Sequence, residues 1–383
     1  MKSAKILAVV MAVVLCIGCF AGCGKTGYTA NNTEFVIGFS GPLTGDAAVY
    51  GVAVKNSAQM AVDEINANGG LNGVTFKLVA TDDQHDATKV AANYASMLEG
   101  GMQVSLGTVT TAPGLEFSNL SAEDNVFFLT PSASGDDIPK NDNGFQMCFA
   151  DGNQGKVAAD YVNSLGLSEI GVFYKSDDAY SNGIYTQFKD NLDASINVVE
   201  AVFTDANDSD FSAQITALKD CSFIFMPIYY TPASIFMTQA KDQLAANAVY
   251  YGCDGFDGLA SAMDLSTIPQ EVTMLSHFDS NATEGAAAEF IQKYTDKYGT
   301  DTLNQFGASA YDCVYAIYNA MQAAIEAGEK VDVTTSASDM CEILKAQFTG
   351  DFTYSGVTGT DITWEDNGYV SKGAVKYVLK AAD

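Results

Sequence analysis

The chain has 383 residues, 48% of them hydrophobic, and its 19 basic and 47 acidic residues give a formal net charge of 19 − 47 = −28. One hydrophobic core rarely serves more than roughly 250–300 residues, so we expect two domains, and the hydrophobic content excludes a disordered chain. All 19 basic residues are lysines. The chain therefore lacks arginine clamps for carboxylate or phosphate, and it lacks the clustered positive charge that nucleic acid requires.

Histidine and cysteine are too sparse for most metal or nucleophile chemistry. The two histidines, His85 and His277, argue against a zinc site and against a Ser-His-Asp hydrolase. Beyond residue 23 the remaining cysteines are odd in number and have no CxxC spacing. They are Cys148, Cys221, Cys253, Cys313 and Cys341. We expect no catalytic residues, no metal and no cofactor, and one disulfide among these five cysteines stays open.

The first 33 residues have the pattern of a secretory leader. Lys2 and Lys5 precede an apolar run over 6–17, which is too short for a membrane span. The stretch FAGC at 20–23 resembles a bacterial lipobox, although Phe20 replaces the usual leucine. We expect a signal peptide over 1–22, lipid attachment at Cys23 and a tether over 23–33. The alternative to lipid attachment is an ordinary secretory signal peptide that is cleaved off. Either way the protein is expected outside the cytoplasm, on the outer face of the cytoplasmic membrane or in the periplasm.

From residue 34, strands alternate with helices in the first half of the chain. Apolar residues recur at helical spacing after the first strand, and Asn68-Gly69-Gly70 is a typical helix end. The predicted strands are 34–40, 75–81, 104–107 and 126–129, and the predicted helices are 49–66, 87–98 and one beginning at Pro113. This order indicates a parallel, doubly wound sheet.

The pattern restarts after Gly144. Predicted helices lie at 154–165, 182–192, 211–218 and 233–244, and predicted strands at 170–174, 198–203, 223–227, 249–252 and 272–275. Residues 283–347 are expected to be helical, with strands and turns from Thr353 onward and Thr363-Trp364 in a short strand. Two α/β halves therefore stand in tandem, and each places a tyrosine after an early strand, Tyr50 and Tyr180.

The loops at the strand ends are the expected ligand site, because open α/β sheets bind ligands beyond the carboxyl ends of their strands. The first-half loops at 40–45, 108–112 and 130–135 are rich in hydroxyl groups and glycine. Hydroxyls and helix N-termini suit a carboxylate. The second-half loops carry tyrosines and Asp254, which suit an ammonium group. Together they predict a cleft for a zwitterionic amino acid.

Ordered landmarks along the chain make a family resemblance specific. They are IGFSGPLTGDAAVYG from residue 37, GTVTTAPG at 107–114, FLTPSAS at 128–134, DDAYSNG at 177–183, YYTPAS at 229–234, GCDG at 252–255, ASAYDCVYA at 308–316 and TWEDNG at 363–368. They resemble the ABC-transporter substrate-binding proteins of the leucine/isoleucine/valine type. The resemblance implies two doubly wound lobes joined by three crossovers around a ligand cleft. We expect an N-lobe of 34–150 and 279–371 and a C-lobe of 151–278 and 372–383.

The resemblance also implies roles for individual residues. Thr110 matches a serine whose hydroxyl binds the ligand carboxylate, with Thr111 beside it. Ser132 and Ser134 match residues that hold the carboxylate and the ammonium. Asp254 stands where the family has a glutamate that receives the ammonium. The tyrosines expected to line or shut the cleft are Tyr50, Tyr180 and Tyr230.

Some assignments stay open at this point. Thr110 and Thr111 also fit a helix cap, and Ser132 and Ser134 also fit turn residues. Asp257 is an alternative to Asp254. Tyr229 is expected to point away from the cleft, because side chains alternate along a strand. Where some family members have a disulfide in the pocket wall, this chain has His85 and Val109.

The expected function is capture of a branched-chain or other neutral amino acid by hinge closure, followed by delivery to an ABC permease with ATPase subunits. The protein is expected to be a monomer that touches the membrane only through its lipid anchor. Alternatives are an amino-acid sensor with the same fold, or a receptor for another small solute such as an amide. An enzyme is disfavoured because no catalytic motif is present. Without arginine, the protein is expected to bind glutamate, aspartate and phosphorylated compounds poorly.

Overall fold

The computed structural model describes residues 32–381, which form two lobes, each built on one sheet. The N-lobe sheet is five-stranded with the order β2-β1-β3-β4-β5, and the C-lobe sheet is six-stranded with the order β11-β10-β9-β8-β6-β7. The strands are β1 (Phe35–Gly41), β2 (Phe76–Asp82), β3 (Val104–Ser105), β4 (Phe128–Thr130), β5 (Gly144–Gln146), β6 (Glu169–Lys175), β7 (Asn197–Phe203), β8 (Phe223–Met226), β9 (Val249–Gly252), β10 (Glu271–Ser276) and β11 (Val375–Lys380).

Helices connect the strands. They are α1 (Ala48–Ala67), α2 (Val90–Glu99), α3 (Thr111–Asp124), α4 (Asp151–Ser164), α5 (Ala179–Asn191), α6 (Ser212–Leu218), α7 (Tyr230–Ala240), α8 (Leu259–Ala262), α9 (Gly285–Tyr298), α10 (Gln305–Glu326) and α11 (Ala337–Phe348). None of the helices within 32–381 is long and apolar enough to cross a membrane. The predicted α/β class with two doubly wound lobes is confirmed.

The N-lobe core forms where β1 and α1 meet. Every residue of β1 is buried, as expected for a strand covered on both faces. On α1, a buried stripe that includes Val54, Ala58 and Ile65 packs inward. The helix ends where Gly69 and Gly70 adopt positive φ angles of 98° and 67°, and the Gly70 N–H bonds back to the Ile65 carbonyl at 2.9 Å.

The C-lobe core is aromatic. Phe173 on β6 stacks between Phe203 and Phe236, with ring centroids 4.8 Å and 4.3 Å away. Such pairs add to the stabilisation that comes from buried area. This packing fixes β6 against β7 and α7, so the loops that leave these elements emerge from a rigid base.

The chain passes between the two sheets three times. It leaves the N-lobe after β5 to enter α4, returns after β10 to enter α9, and crosses again before β11. Three chain connections between the lobes restrict their relative motion to opening and closing about a hinge. The limits of the two lobes in sequence remain a prediction.

Several elements differ from the sequence prediction. β5 was not predicted, because its GFQ segment is too short to show a period. β11 pairs antiparallel with β10, so the C-lobe sheet is not wholly parallel. The predicted helical region 283–347 is three helices, α9 to α11. Thr363-Trp364 forms no strand, only an isolated bridge from Trp364 to Val370. α3 begins at Thr111 and α7 at Tyr230, earlier than predicted.

Candidate functional site

A small cavity lies between the lobes at the carboxyl ends of the strands. The N-lobe lines it with Tyr50, Val109, Thr111, Ser132, Ser134 and Phe306, and the C-lobe with Tyr180, Tyr229, Asp254 and Gly255. The cavity has a volume of only about 10 Å³, which is room for roughly one water molecule. The structure is therefore closed, and an amino acid can enter only when the lobes move apart.

Hydrogen bonds across the cleft hold this closed form. The Tyr50 hydroxyl donates to the Gly255 carbonyl at 2.5 Å and accepts from the Tyr230 N–H at 3.3 Å. The Thr231 hydroxyl donates to the Asp46 carbonyl at 2.7 Å. Each of these bonds joins the two lobes, so each must break when the cleft opens.

Asp254 supplies the acidic wall of the cavity. It lies in a 3₁₀ turn directly after β9, and the Tyr180 hydroxyl donates to its Oδ1 at 2.7 Å. Burial raises the pKa of Asp254 to about 6, although the hydrogen bonds from Tyr180 and Gln154 lower it. Among the described residues that line the cavity there is no lysine. A buried carboxylate without a cation is suited to a ligand ammonium group.

The opposite wall is built from hydroxyls and backbone N–H groups. Ser132 and Ser134 follow β4, and Thr111 opens α3, whose first N–H groups have no partner within the helix. The Thr111 hydroxyl donates to Asp151 Oδ2 at 3.2 Å, and burial raises the pKa of Asp151 well above its usual value. The Ser132 hydroxyl donates to the Val109 carbonyl at 2.8 Å. This wall offers neutral donors and the positive end of a helix dipole, which suit a carboxylate.

Thr110 lies outside the cavity. Its hydroxyl pairs with His85 Nδ1 at 2.8 Å, and although Thr110 is the N-cap residue of α3, its side chain makes no capping bond. Burial lowers the pKa of His85, so the imidazole is neutral at physiological pH. Thr110 therefore caps the helix by position but not through its side chain, and its role as a carboxylate ligand stays a prediction.

Of the two adjacent tyrosines, Tyr229 departs from the expectation that it points away from the cleft. Tyr229 lines the cavity, whereas Tyr230 packs edge-on against Tyr50 with ring centroids 5.0 Å apart. Strand alternation does not apply here, because β8 ends at Met226 and Tyr229 is the N-cap residue of α7. Tyr230 still contacts the opposite lobe, since its hydroxyl accepts from the Val49 N–H at 3.5 Å.

Asp257 is directed away from the cavity. Its carboxylate accepts from the Gln305 N–H at 2.8 Å, at the start of α10, and burial raises its pKa to about 7. The structure thus places Asp254 rather than Asp257 on the cavity wall. Sequence analysis missed Phe306 and Gly255, which line the cavity as well. Nothing in the local pattern of α10 distinguishes Phe306 from its other buried residues.

The remaining predictions fall elsewhere. Cys23 and the leader lie outside the described residues. All five cysteines of the described part are free and buried, so no disulfide forms among them in this structure. No cluster of three or more metal-ligating side chains occurs within 32–381.

Two lobes, three connections and a cleft with polar walls define a solute-binding protein. The chain belongs to the periplasmic binding protein family, since the sequence model described as "Periplasmic binding protein" matches residues 34–376. It is 30% identical over 341 residues to the Leu/Ile/Val-binding protein BraC3 of Rhizobium johnstonii, covering 87% of this chain and 90% of the relative.

Two further matches are also named for the binding of amino acids. A leucine-, isoleucine-, valine-, threonine- and alanine-binding protein of Pseudomonas aeruginosa is 28% identical over 262 residues, covering 64% of this chain and 69% of the relative. The crystal structure of the branched-chain amino acid transporter substrate-binding protein LivJ from Streptococcus pneumoniae, in complex with isoleucine, superposes with a TM-score of 0.78. That structure is 26% identical, and the match covers 91% of this chain and 96% of the other.

Proposed function

We propose that this protein is an extracytoplasmic receptor for a neutral amino acid, with branched-chain amino acids as its preferred ligands, and that it delivers them to an ABC permease. The observation that carries the proposal is the pairing of Asp254 on one cavity wall with the hydroxyls and helix N-terminus of the other. The similarity to relatives named as leucine-, isoleucine- and valine-binding proteins supports the ligand class.

Recognition of the ligand would use both lobes. The ammonium group of the ligand pairs with Asp254. The Tyr180 hydroxyl orients the Asp254 carboxylate through its 2.7 Å hydrogen bond. The carboxylate of the ligand accepts from the first N–H groups of α3, and from the Thr111 and Ser132 hydroxyls once these turn from Asp151 and from the Val109 carbonyl. Because the two charged ends contact opposite lobes, the ligand favours lobes drawn together around it over the open state. The liganded form is wider than the unliganded one described here, whose cavity holds roughly one water molecule.

The walls also set which ligands are excluded. No basic side chain lines the cavity within the described chain, so a second carboxylate has no charged partner. Burial of an unpaired charge is strongly unfavourable. Glutamate and aspartate are therefore expected to bind much more weakly than leucine or isoleucine.

The remaining parts of the proposal concern where the protein is located and which partners it serves. Lipid attachment at Cys23 would hold a monomeric receptor at the outer face of the cytoplasmic membrane, where the permease and its ATPase subunits receive the ligand. The receptor is proposed to bind its ligand without converting it, in keeping with relatives that are named as binding proteins.

Calorimetric titration of the purified full chain with each of the twenty amino acids tests the proposal. The protein is first unfolded and refolded to remove bound ligand, and circular dichroism checks that it has refolded. One-to-one binding of leucine, isoleucine or valine, with glutamate at least a hundredfold weaker, is the expected result. Absence of binding across the set, or equal affinity for glutamate, contradicts the proposal.

A further inference from the structure

The cleft contains a second and larger space beside the cavity. This outer compartment has a volume of about 370 Å³, against about 10 Å³ for the cavity. Both lobes contribute to it, the N-lobe with Asp46 and His85 and the C-lobe with Asp178 and Ile228. Tyr229 lines both spaces. Its ring is therefore the partition between them.

Ring contacts hold the partition in place. Tyr229 stacks on Tyr180 with centroids 4.5 Å apart and an interplanar angle of 13°, and it meets His85 edge-on at 5.2 Å. Its buried hydroxyl has no hydrogen-bond partner among the described residues, and burial raises the pKa of Tyr229 well above its usual value. The ring position therefore rests on aromatic packing from both lobes, and the hydroxyl contributes little to it.

The outer compartment has a distinct chemistry. Phe203, Ile228 and Ile235 give it an apolar floor, and Asp46 and Asp178 bring carboxylates from opposite lobes. Its lysine, Lys175, is already paired with Asp205. The Asp178 carboxylate already accepts from the Ser181 N–H at 2.9 Å. An apolar floor beneath two carboxylates suits an aromatic group or a long side chain that ends in a cation.

We propose that Tyr229 sets the upper size limit of the ligand side chain by closing the cavity off from the outer compartment. This inference rests on the proposed function, because it concerns the side chain of a ligand whose charged ends are held in the cavity. Removing the ring joins the two spaces. The ligands gained are then amino acids with large aromatic or cationic side chains, phenylalanine and arginine, and not glutamate.

The test compares Tyr229→Ala with Tyr230→Ala in the full chain, by calorimetric titration with leucine, phenylalanine, arginine and glutamate. Tyr230 is the control, because it is the neighbouring tyrosine and also packs across the cleft but lines neither space. We expect Tyr229→Ala to bind phenylalanine and arginine at least tenfold more tightly than the unmodified protein does. Tyr230→Ala is expected to gain neither ligand.

Two further variants keep the test decisive. Tyr229→Phe retains the ring and is expected to exclude phenylalanine and arginine as the unmodified protein does. Tyr229→Leu is used if the alanine variant does not fold, with a smaller gain expected for the same two ligands.

The outcomes separate this inference from the proposed function. If the unmodified protein binds leucine but Tyr229→Ala gains no large ligand, the inference is wrong and the proposed function stands. Equal gains for arginine and glutamate would mean that the variant has merely loosened the cleft, which also overturns the inference. If the unmodified protein binds no amino acid, the proposed function is wrong and this inference with it.

Discussion

The two walls of the cleft recognise charge by different means. The N-lobe wall uses several neutral donors, whose positions follow from where β4 ends and α3 begins. The C-lobe wall uses one carboxylate, Asp254, oriented by the Tyr180 hydroxyl. Recognition spread over many neutral groups tolerates the loss of any one, whereas recognition by a single buried charge does not. Variants of the two walls should therefore differ sharply in their effects.

The largest effect is expected at Asp254. Asp254→Ala leaves the ligand ammonium buried without a partner, which is unfavourable by about 3–5 kcal/mol, so amino-acid affinity should fall by more than about a hundredfold. Calorimetric titration with the preferred ligand measures the loss. The matched control is Asp257→Asn, because Asp257 is also buried but faces Gln305, and asparagine retains an acceptor for that N–H. A comparable loss in both variants would show that Asp254 is not the ammonium partner.

The sequence points most directly to the N-lobe wall, although Thr110, also predicted there, lies outside the cavity. Strand ends followed by hydroxyl-rich loops predict a carboxylate site because the backbone itself places the donors, and Thr111, Ser132 and Ser134 do line the cavity. The C-lobe wall was harder. Which of Asp254 and Asp257 faces the cavity depends on a short 3₁₀ turn, and which of Tyr229 and Tyr230 does so depends on where α7 begins.

Other elements were beyond local sequence signals. β5 and β11 exist because neighbouring strands complete them, and their own residues carry no clear period. Phe306 reaches the cavity from a helix whose residues are nearly all buried in its first turns, so no alternation marks it. The α/β order, in contrast, is fixed by long segments whose apolar periods agree with their burial, and the prediction of the fold class depended on these segments.

The next largest effect is a pH dependence of ligand affinity that arises from the C-lobe wall alone. Burial raises the pKa of Asp254 to about 6, so protonation below that pH removes the partner of the ammonium group. Affinity should be constant near pH 7.5 and fall roughly tenfold by pH 5, as one pH unit below a pKa implies. Titrations across this range measure it. The neutral donors of the N-lobe wall do not titrate there, so an affinity independent of pH would assign the recognition to that wall.

The same shift predicts the opposite trend for the stability of the closed, unliganded protein. The folded pKa of about 6 lies above the unfolded value near 3.9, so the native state binds the extra proton and stability rises as pH falls through 6 toward 4. At pH 7 the buried charge of Asp254 therefore destabilises the native state by about 3 kcal/mol. Asp254→Asn should remove this destabilisation and raise the unfolding temperature of the unliganded protein at pH 7. Thermal unfolding at pH 7 compares the two proteins, and a lower temperature for the variant would contradict the sign.

A smaller effect is expected on the N-lobe wall. Thr111→Val keeps the shape of the side chain and removes one donor, so affinity should fall about fivefold, the equivalent of one hydrogen bond of about 1 kcal/mol. Thr110→Val is the matched control, because the Thr110 hydroxyl pairs with His85 outside the cavity. Calorimetric titration should detect little change in the control. A loss at Thr110 that exceeds the loss at Thr111 would instead assign the carboxylate to Thr110, as the family resemblance implies.

The smallest effect is expected where the walls meet and no ligand charge is involved. Tyr50→Phe retains the ring that packs against Tyr230 and Phe306 but removes the hydroxyl that donates to the Gly255 carbonyl. The closed state loses both hydrogen bonds of this hydroxyl, the one to the Gly255 carbonyl and the longer one from the Tyr230 N–H, while both charge-binding walls stay intact. Closure should be weakened about threefold, which stopped-flow fluorescence would register as faster dissociation with a nearly unchanged association rate. A slower association instead would place Tyr50 at the entrance of the open cleft, because a residue that acts only after closure cannot alter the rate of first encounter.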